Sequence, residues 1–234
     1  MEGIYTIFGS IFGHGNGLII SHVALAVILI LLVAFFATKS MKLVPSGSQN
    51  IMEAYLTGVI AMGKDVIGEE NARKYLPLVA TIGFFVFFSN VIGIIPAFES
   101  PTSNINVTLT LALIVFSYYH LEGIRAQGLL KYLGSFVHLG EMNPALKIGL
   151  TIFMYPIEIV SHISRIISLS FRLFGNIKGD DLFLWVLLML TPLFVPLSAY
   201  LLLTFGAVLQ TFIFMILTYV YLAGAVVVSE DEHH

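Results

Sequence analysis

LFLWVLLMLTPLFVPLSAYLLLTFGAVLQTFIFMILTYVYLAGAVVV, residues 182–228, runs for 47 residues without an Asp, Glu, Lys, Arg or His. As one helix it would measure about 70 Å at 1.5 Å per residue. The hydrocarbon of a bilayer is roughly 30 Å thick. The stretch therefore exceeds one perpendicular crossing, and two readings stay open. It is two spans broken near Pro192 and Pro196, or one long, strongly tilted helix. Either way it predicts an all-α, polytopic transmembrane protein.

Composition agrees. Hydrophobic residues make up 58% of the 234 and charged residues 11%, against about 25% charged in soluble domains. With no cysteine, disulfides, thiolate metal sites and cysteine nucleophiles are excluded. The net charge of −3 and the lack of a basic arm argue against a nucleic-acid partner. No cofactor or metal site is read.

Working outward, residues 18–37 are long enough to span and lack a basic n-region or small-residue cleavage site, so they are expected to be a retained first span. Residues 48–74 mix Glu53, Lys64, Asp65, Glu69, Glu70, Arg73 and Lys74 with spaced aliphatics, which predicts an amphipathic helix on the membrane surface, or a solvated linker helix. Residues 76–98 and 105–121 predict a helical hairpin turned at Pro96 and Pro101. A polar connection follows over 122–147. Residues 148–174 predict the next helix, a chain break is expected at Gly175–Gly179, and 181–228 complete a long tilted hairpin. The whole chain reads as a single membrane domain of five spans, possibly six.

The positive-inside rule orients it. With the N-terminus outside and five spans, Lys39, Lys42, Lys64, Arg73, Lys74, Arg125, Lys131 and Lys147 face the cytoplasm, as does the C-terminus. Lys178 faces outward, and Arg165 and Arg172 lie in the membrane, which accounts for all 11 basic residues.

The chemistry concentrates in YPIEIVSHISRIISLSFRLFGN, residues 155–176. Glu158, Arg165 and Arg172 are spaced by seven, with Ser161 and Ser168 between them. Seven residues are close to two helical turns, so the five share a face about 21 Å long. His162 sits beside them. Ile159, Ile163, Ile166 and Phe174 are expected opposite. Such charges cost at least about 2.5–3.5 kcal/mol each in hydrocarbon, so they must face a cavity, a partner or one another. An interfacial helix, or a Glu158–Arg165 pair acting as structural glue, is the plainer alternative. Arg172 does not deprotonate in a protein. It is a poor proton carrier and a good fixed charge for holding a carboxylate ionised. No acid lies within one turn of it, so its partner is expected from another helix or another chain.

Four segments then carry a resemblance: Ser168-Leu-Ser-Phe-Arg172-Leu-Phe-Gly-Asn176, Gln210-Thr-Phe-Ile-Phe-Met215, Asn104-Ile-Asn-Val-Thr-Leu109 and Pro156-Ile-Glu-Ile-Val-Ser161. Taken in their order along the chain, they closely resemble subunit a of bacterial F-type ATP synthases, from about Leu43 to the tail. The resemblance implies a multi-pass protein of the bacterial plasma (inner) membrane. It implies a non-catalytic stator beside a rotating c-ring, with peripheral stalk b subunits, membrane lipid and translocated protons as partners. Arg172 would take the place of the family's essential arginine, between two half-channels. Glu158, Asn176 and Gln210 would stand near the proton path, with Ser161, Ser164 and Ser168 lining the same helix face. The resemblance also favours a single oblique helix for 182–228.

The chain departs from the family in one respect. Some members pair an acid nine residues after the arginine with a histidine on the last helix. Here the acid position is Asp181, beside Asp180, and the histidine position is Leu203. Asp180 and Asp181 are candidates for the outer proton route, or else supply favourable charge at a helix N-terminus. His162 is a candidate for the path or a packed histidine. His22, His120 and His162, scattered one per helix, are weak grounds for a haem protein. No G-x-S-x-G or Walker A sequence is present, so ATP chemistry is expected in other subunits. A channel working without a rotor is the main alternative.

Overall fold

The computed structural model describes residues 16–39, 41–42, 47–95, 98–135, 144–190 and 194–226. Among these there is no strand. The helices are α1 (Asn16–Thr38), α2 (Ser48–Ile67), α3 (Glu69–Ile94), α4 (Ile105–Gln127), α5 (Leu129–Ser135), α6 (Pro144–Leu190) and α7 (Phe194–Val226), with a 3₁₀ turn at Pro101–Ser103. Helix dominates for a physical reason: an unpaired backbone N–H or C=O in hydrocarbon costs several kcal/mol. Five helices are long and apolar enough to cross a membrane: α1, α3, α4, α6 and α7. The protein is an all-helical, polytopic membrane protein.

The surface helix ends earlier than expected. Gly68, at φ 82°, closes α2, and residues 69–74 form the first turns of α3. That left-handed backbone suits glycine. The apolar side of α2 packs on protein. Val59, Gly63 and Ile67 are buried, and Tyr55 Oη donates to Ala80 O at 2.9 Å. Burial pushes the Tyr55 phenol above its ordinary pKa, so it remains a donor. At Gly63 the fit leaves no room for a side chain. A Cβ there would lie 2.7 Å from the Tyr219 ring and 2.8 Å from Ala72 Cβ.

The core joins α2, α3, α4, α6 and α7 through residues such as Val79, Val115, Leu173, Phe214 and Leu222. Glu122, expected in a connection, lies inside α4 and is buried. It accepts from Lys74 Nζ at 3.0 Å, Arg125 Nη1 at 2.7 Å and Tyr75 Oη at 3.1 Å, tying α3 to α4 at one end of the bundle. The other end is closed by the 3₁₀ turn. There Ser100 Oγ donates to Ser89 O at 2.8 Å and Thr102 Oγ1 to Asn90 Oδ1 at 2.8 Å. His22 pins α1 to that end. Its Nδ1 meets Leu18 O at 2.8 Å, and a carbonyl only accepts, so Nε2 is left to accept from Glu99 N at 3.3 Å.

The last hairpin divides differently from the expectation. α6 runs unbroken through Gly175 and Gly179 for 47 residues, about 70 Å, so it must tilt to stay in a bilayer. α7 begins at Phe194, after residues 191–193. Residues 182–190 thus belong to α6 and 194–226 to α7, and the two helices pack against each other rather than forming one oblique helix. Pro196 falls in the first turn of α7, where no intrahelical N–H bond is lost.

Candidate functional site

α6 meets the bundle through Leu169, Leu173 and Ile177, all buried and spaced by one turn. Arg172 precedes Leu173 by one residue, about 100° around the helix, and so emerges on the flank that this chain leaves open. It is exposed, as is Ser168 one turn before it. Among the described residues no carboxylate pairs with Arg172; Glu99 and Asp181 lie beside Lys178, and Glu158 beside the imidazole of His162. Ser170, on the buried side, meets Thr108 of α4 at 3.1 Å between hydroxyls.

The polar face splits along its length. A heptad falls about 20° short of two full turns, so residues spaced by seven drift around the helix. Arg165 turns inward, its Cζ 5.6 Å from the centre of the Tyr221 ring on α7. Ile166, expected opposite the polar face, packs against the core instead. Glu158 is half-buried and lies 3.6 Å from His162 Nε2, not against Arg165. His162 Nδ1 is 3.0 Å from Tyr119 Oη on α4. Ser161 is half-buried, and its carbonyl accepts from exposed Ser164 Oγ at 2.7 Å.

Beyond Arg172, Asn176 Nδ2 donates to Gln210 Oε1 on α7 at 2.8 Å. Gln210 is 2% exposed, and its Nε2 has no partner among the described residues. One turn further, Asp180 and Asp181 line a cavity between α3, α6 and α7, with Asn90, Ser100, Tyr200 and Leu203 also in its wall. Its volume of about 30 Å³ suffices for one or two waters. Asn90 is buried, and its Nδ2 is likewise unpartnered among the described residues. Lys178 Nζ lies 3.6 Å from Glu99 and 3.9 Å from Asp181.

The structure thus brings the candidates together as two groups along α6, the second joined by Gln210 of α7. Glu158, Ser161, His162 and Ser164 lie on one side of Arg172. Asn176, Gln210, Asp180 and Asp181 lie on the other. His162 is about 15 Å and Asp181 about 13.5 Å from Arg172 along the axis, at 1.5 Å per residue. Leu203 shares the cavity wall with the two acids. Sequence reasoning missed Asn90 and Ser100 at the cavity, Glu99 beside Lys178, and Tyr119 and His120 beside His162. Asn90 had a signal, as the only amide in the span 76–98.

A family model described as ATP synthase A chain matches residues 18–223. A Nitratiruptor protein named ATP synthase subunit a is 62% identical over 232 residues, covering 99% of this chain and 100% of that one. Proteins of the same name from a Sulfurovum species and from Campylobacter concisus are 63% identical over 218 residues and 59% identical over 229 residues. They cover 92% and 97% of this chain, and 88% and 98% of their own lengths. A model match over most of the length, relatives alike from end to end, and an intramembrane arginine open to a partner agree: the chain belongs to the ATP synthase A chain family.

Proposed function

We infer that this non-catalytic subunit of the ATP synthase membrane sector carries protons to and from a rotating ring of c subunits. One observation carries the reading: Arg172 stands exposed on a transmembrane helix, unpaired by any described residue, between two polar groups on the same helix. A charge left open in hydrocarbon calls for a partner in trans. A ring carboxylate is the complementary group.

The mechanism follows from electrostatics. A carboxylic acid crossing lipid stays neutral, because burial disfavours the ion. At 4 Å from a guanidinium, with an effective dielectric constant of 20, the attraction to the carboxylate is about 4 kcal/mol. That is worth about three pKa units in favour of ionisation. A passing acid therefore releases its proton beside Arg172, on the Glu158–His162 side. It is reprotonated from the Asp180–Asp181 side after the ring has turned. Arg172 keeps its own proton, so protons do not leak straight along α6. Each elementary charge crossing 100 mV supplies about 2.3 kcal/mol. With the N-terminus outside and the C-terminus cytoplasmic, Asp180 and Asp181 open to the outside of the plasma membrane. Peripheral stalk subunits hold the chain against the ring's torque. ATP chemistry takes place in other subunits.

The test is Arg172→Ala in the complete complex reconstituted into vesicles. ATP-driven proton pumping should be lost; pumping at the wild-type rate would refute the mechanism. A channel working without a rotor would instead conduct alone and purify without ring subunits.

A further inference from the structure

His120 of α4 and His162 of α6 are 42 positions apart in sequence, yet their ring centres lie 5.0 Å apart. Tyr119 completes the group. Its hydroxyl is 3.0 Å from His162 Nδ1, and its ring lies nearly parallel to that imidazole, 6.1 Å away. His120 Nδ1 is 3.0 Å from Phe116 O. That carbonyl can only accept, so Nδ1 carries the hydrogen and a neutral His120 keeps its lone pair on Nε2. His162 Nε2 faces Glu158 Oε1 at 3.6 Å. Two basic nitrogens, a phenol and a carboxylate thus lie within one cluster, about 15 Å along α6 from Arg172.

We propose that His120, Tyr119 and His162 form a proton relay linking α6 to α4 at the end of the bundle that carries Lys74 and Arg125. The relay rests on the reading of Arg172 given above and extends its release side to residues of α4. Each step balances. With Nδ1 of His162 accepting the Tyr119 hydroxyl, the ring's own hydrogen sits on Nε2. A proton bound at Nδ1 makes both nitrogens donors, and the phenol turns to accept. Release from Nε2 to Glu158 returns a neutral ring in its other tautomer. His120 Nε2 is a second site for the same proton.

The surrounding charges limit the group to one proton at a time. On α6, Arg165 approaches from the Tyr221 side. On α4, Tyr119 and His120 are the ionisable neighbours. α5 brings Tyr132, 5.8 Å from His120 between ring centres, and α7 brings Tyr221, 6.1 Å from Tyr119. Glu158 is the one anion at the cluster among the described residues. One imidazolium is compensated by Glu158. A second would face the first at 5.0 Å, where like charges repel.

The experiment uses the complete ATP synthase in vesicles. His120→Gln, His162→Gln and Tyr119→Phe are each compared with Arg172→Ala. ATP-driven pumping is recorded while pH is varied on the ATP side alone. The histidine variants should pump severalfold more slowly, and the limb of the rate profile that falls with rising ATP-side pH should shift or vanish. Tyr119→Phe, which keeps both imidazoles, should slow pumping and leave that limb in place. Unchanged rates and profiles in both histidine variants, with pumping lost in Arg172→Ala, would overturn the relay alone. Continued pumping in Arg172→Ala would overturn the reading beneath it. If His162→Gln fails to assemble with the ring, His120→Gln decides, because His120 Nδ1 bonds only within its own helix turn.

Discussion

Replacing Gln210 by leucine should make the subunit more stable and a poorer proton carrier. The side chain is buried between α6 and α7. Its Oε1 accepts one hydrogen bond, from Asn176, and its Nε2 makes none with a described residue. Losing an interhelical hydrogen bond in a membrane costs about 0.6 kcal/mol on average. Removing a buried, unsatisfied amide group relieves about 1–3 kcal/mol. The remaining amide, Asn176, is exposed and can turn to another partner. Leucine has nearly the same volume, so no cavity is added. The balance favours the variant by about 0.4–2.4 kcal/mol. If the amide is kept in spite of this, it is kept for what it does to protons near Arg172, and pumping should fall severalfold. The assay is paired: the temperature at which the subunit leaves the solubilised complex, and ATP-driven pumping in vesicles. A lower release temperature with undiminished pumping would show that Gln210 is structural and would refute the reasoning.

Gly63→Ala places a methyl against Tyr219 and Ala72 and should cost about 1–3 kcal/mol by overpacking, read as less subunit in the membrane at unchanged transcript level. Glu122→Gln weakens the ties to Lys74 and Arg125. Both cations are exposed and can turn to water, so the loss should be about 1 kcal/mol, seen as a lower release temperature with pumping little changed. Asp180→Asn combined with Asp181→Asn should slow pumping and flatten its dependence on outside pH, whereas an unchanged profile removes both acids from the outer route.

Spans were legible because hydrocarbon imposes a length and forbids charges, and both constraints act on single segments. The charge at Arg172 was legible for the same reason: its cost is local. Contacts between helices were not legible. His120 and His162 each look like a lone histidine on its own helix, and only the packing of α4 on α6 brings them to 5.0 Å. The cavity at Asp180 likewise needs Asn90 from α3 and Leu203 from α7, and no periodicity links those positions.

The misplaced hairpin teaches more. Gly175 and Gly179 look like a break by the standards of water, where each glycine in a helix costs about 1 kcal/mol relative to alanine. Opening the helix there within a bilayer would leave several backbone groups without partners, at several kcal/mol each. Continuity therefore wins by a wide margin, and α6 runs on to Leu190. Function depends on that outcome. Had the chain turned at Gly175, Arg172 would have stood at a helix end, where backbone carbonyls and water could neutralise it. Because α6 continues to Leu190, Arg172 sits in mid-helix, with its backbone fully bonded and its guanidinium offered sideways. The same continuity fixes the Glu158–His162 group and the Asp180–Asp181 cavity to one rod on either side of the arginine. Their separation then does not drift as a partner moves past. Cutting that rod, for example with Gly175→Pro, should uncouple the two sides. The variant would be expected to leak protons without ATP, or to lose pumping while both polar groups remain intact. Tight, wild-type pumping in such a variant would show that the helix's continuity is incidental.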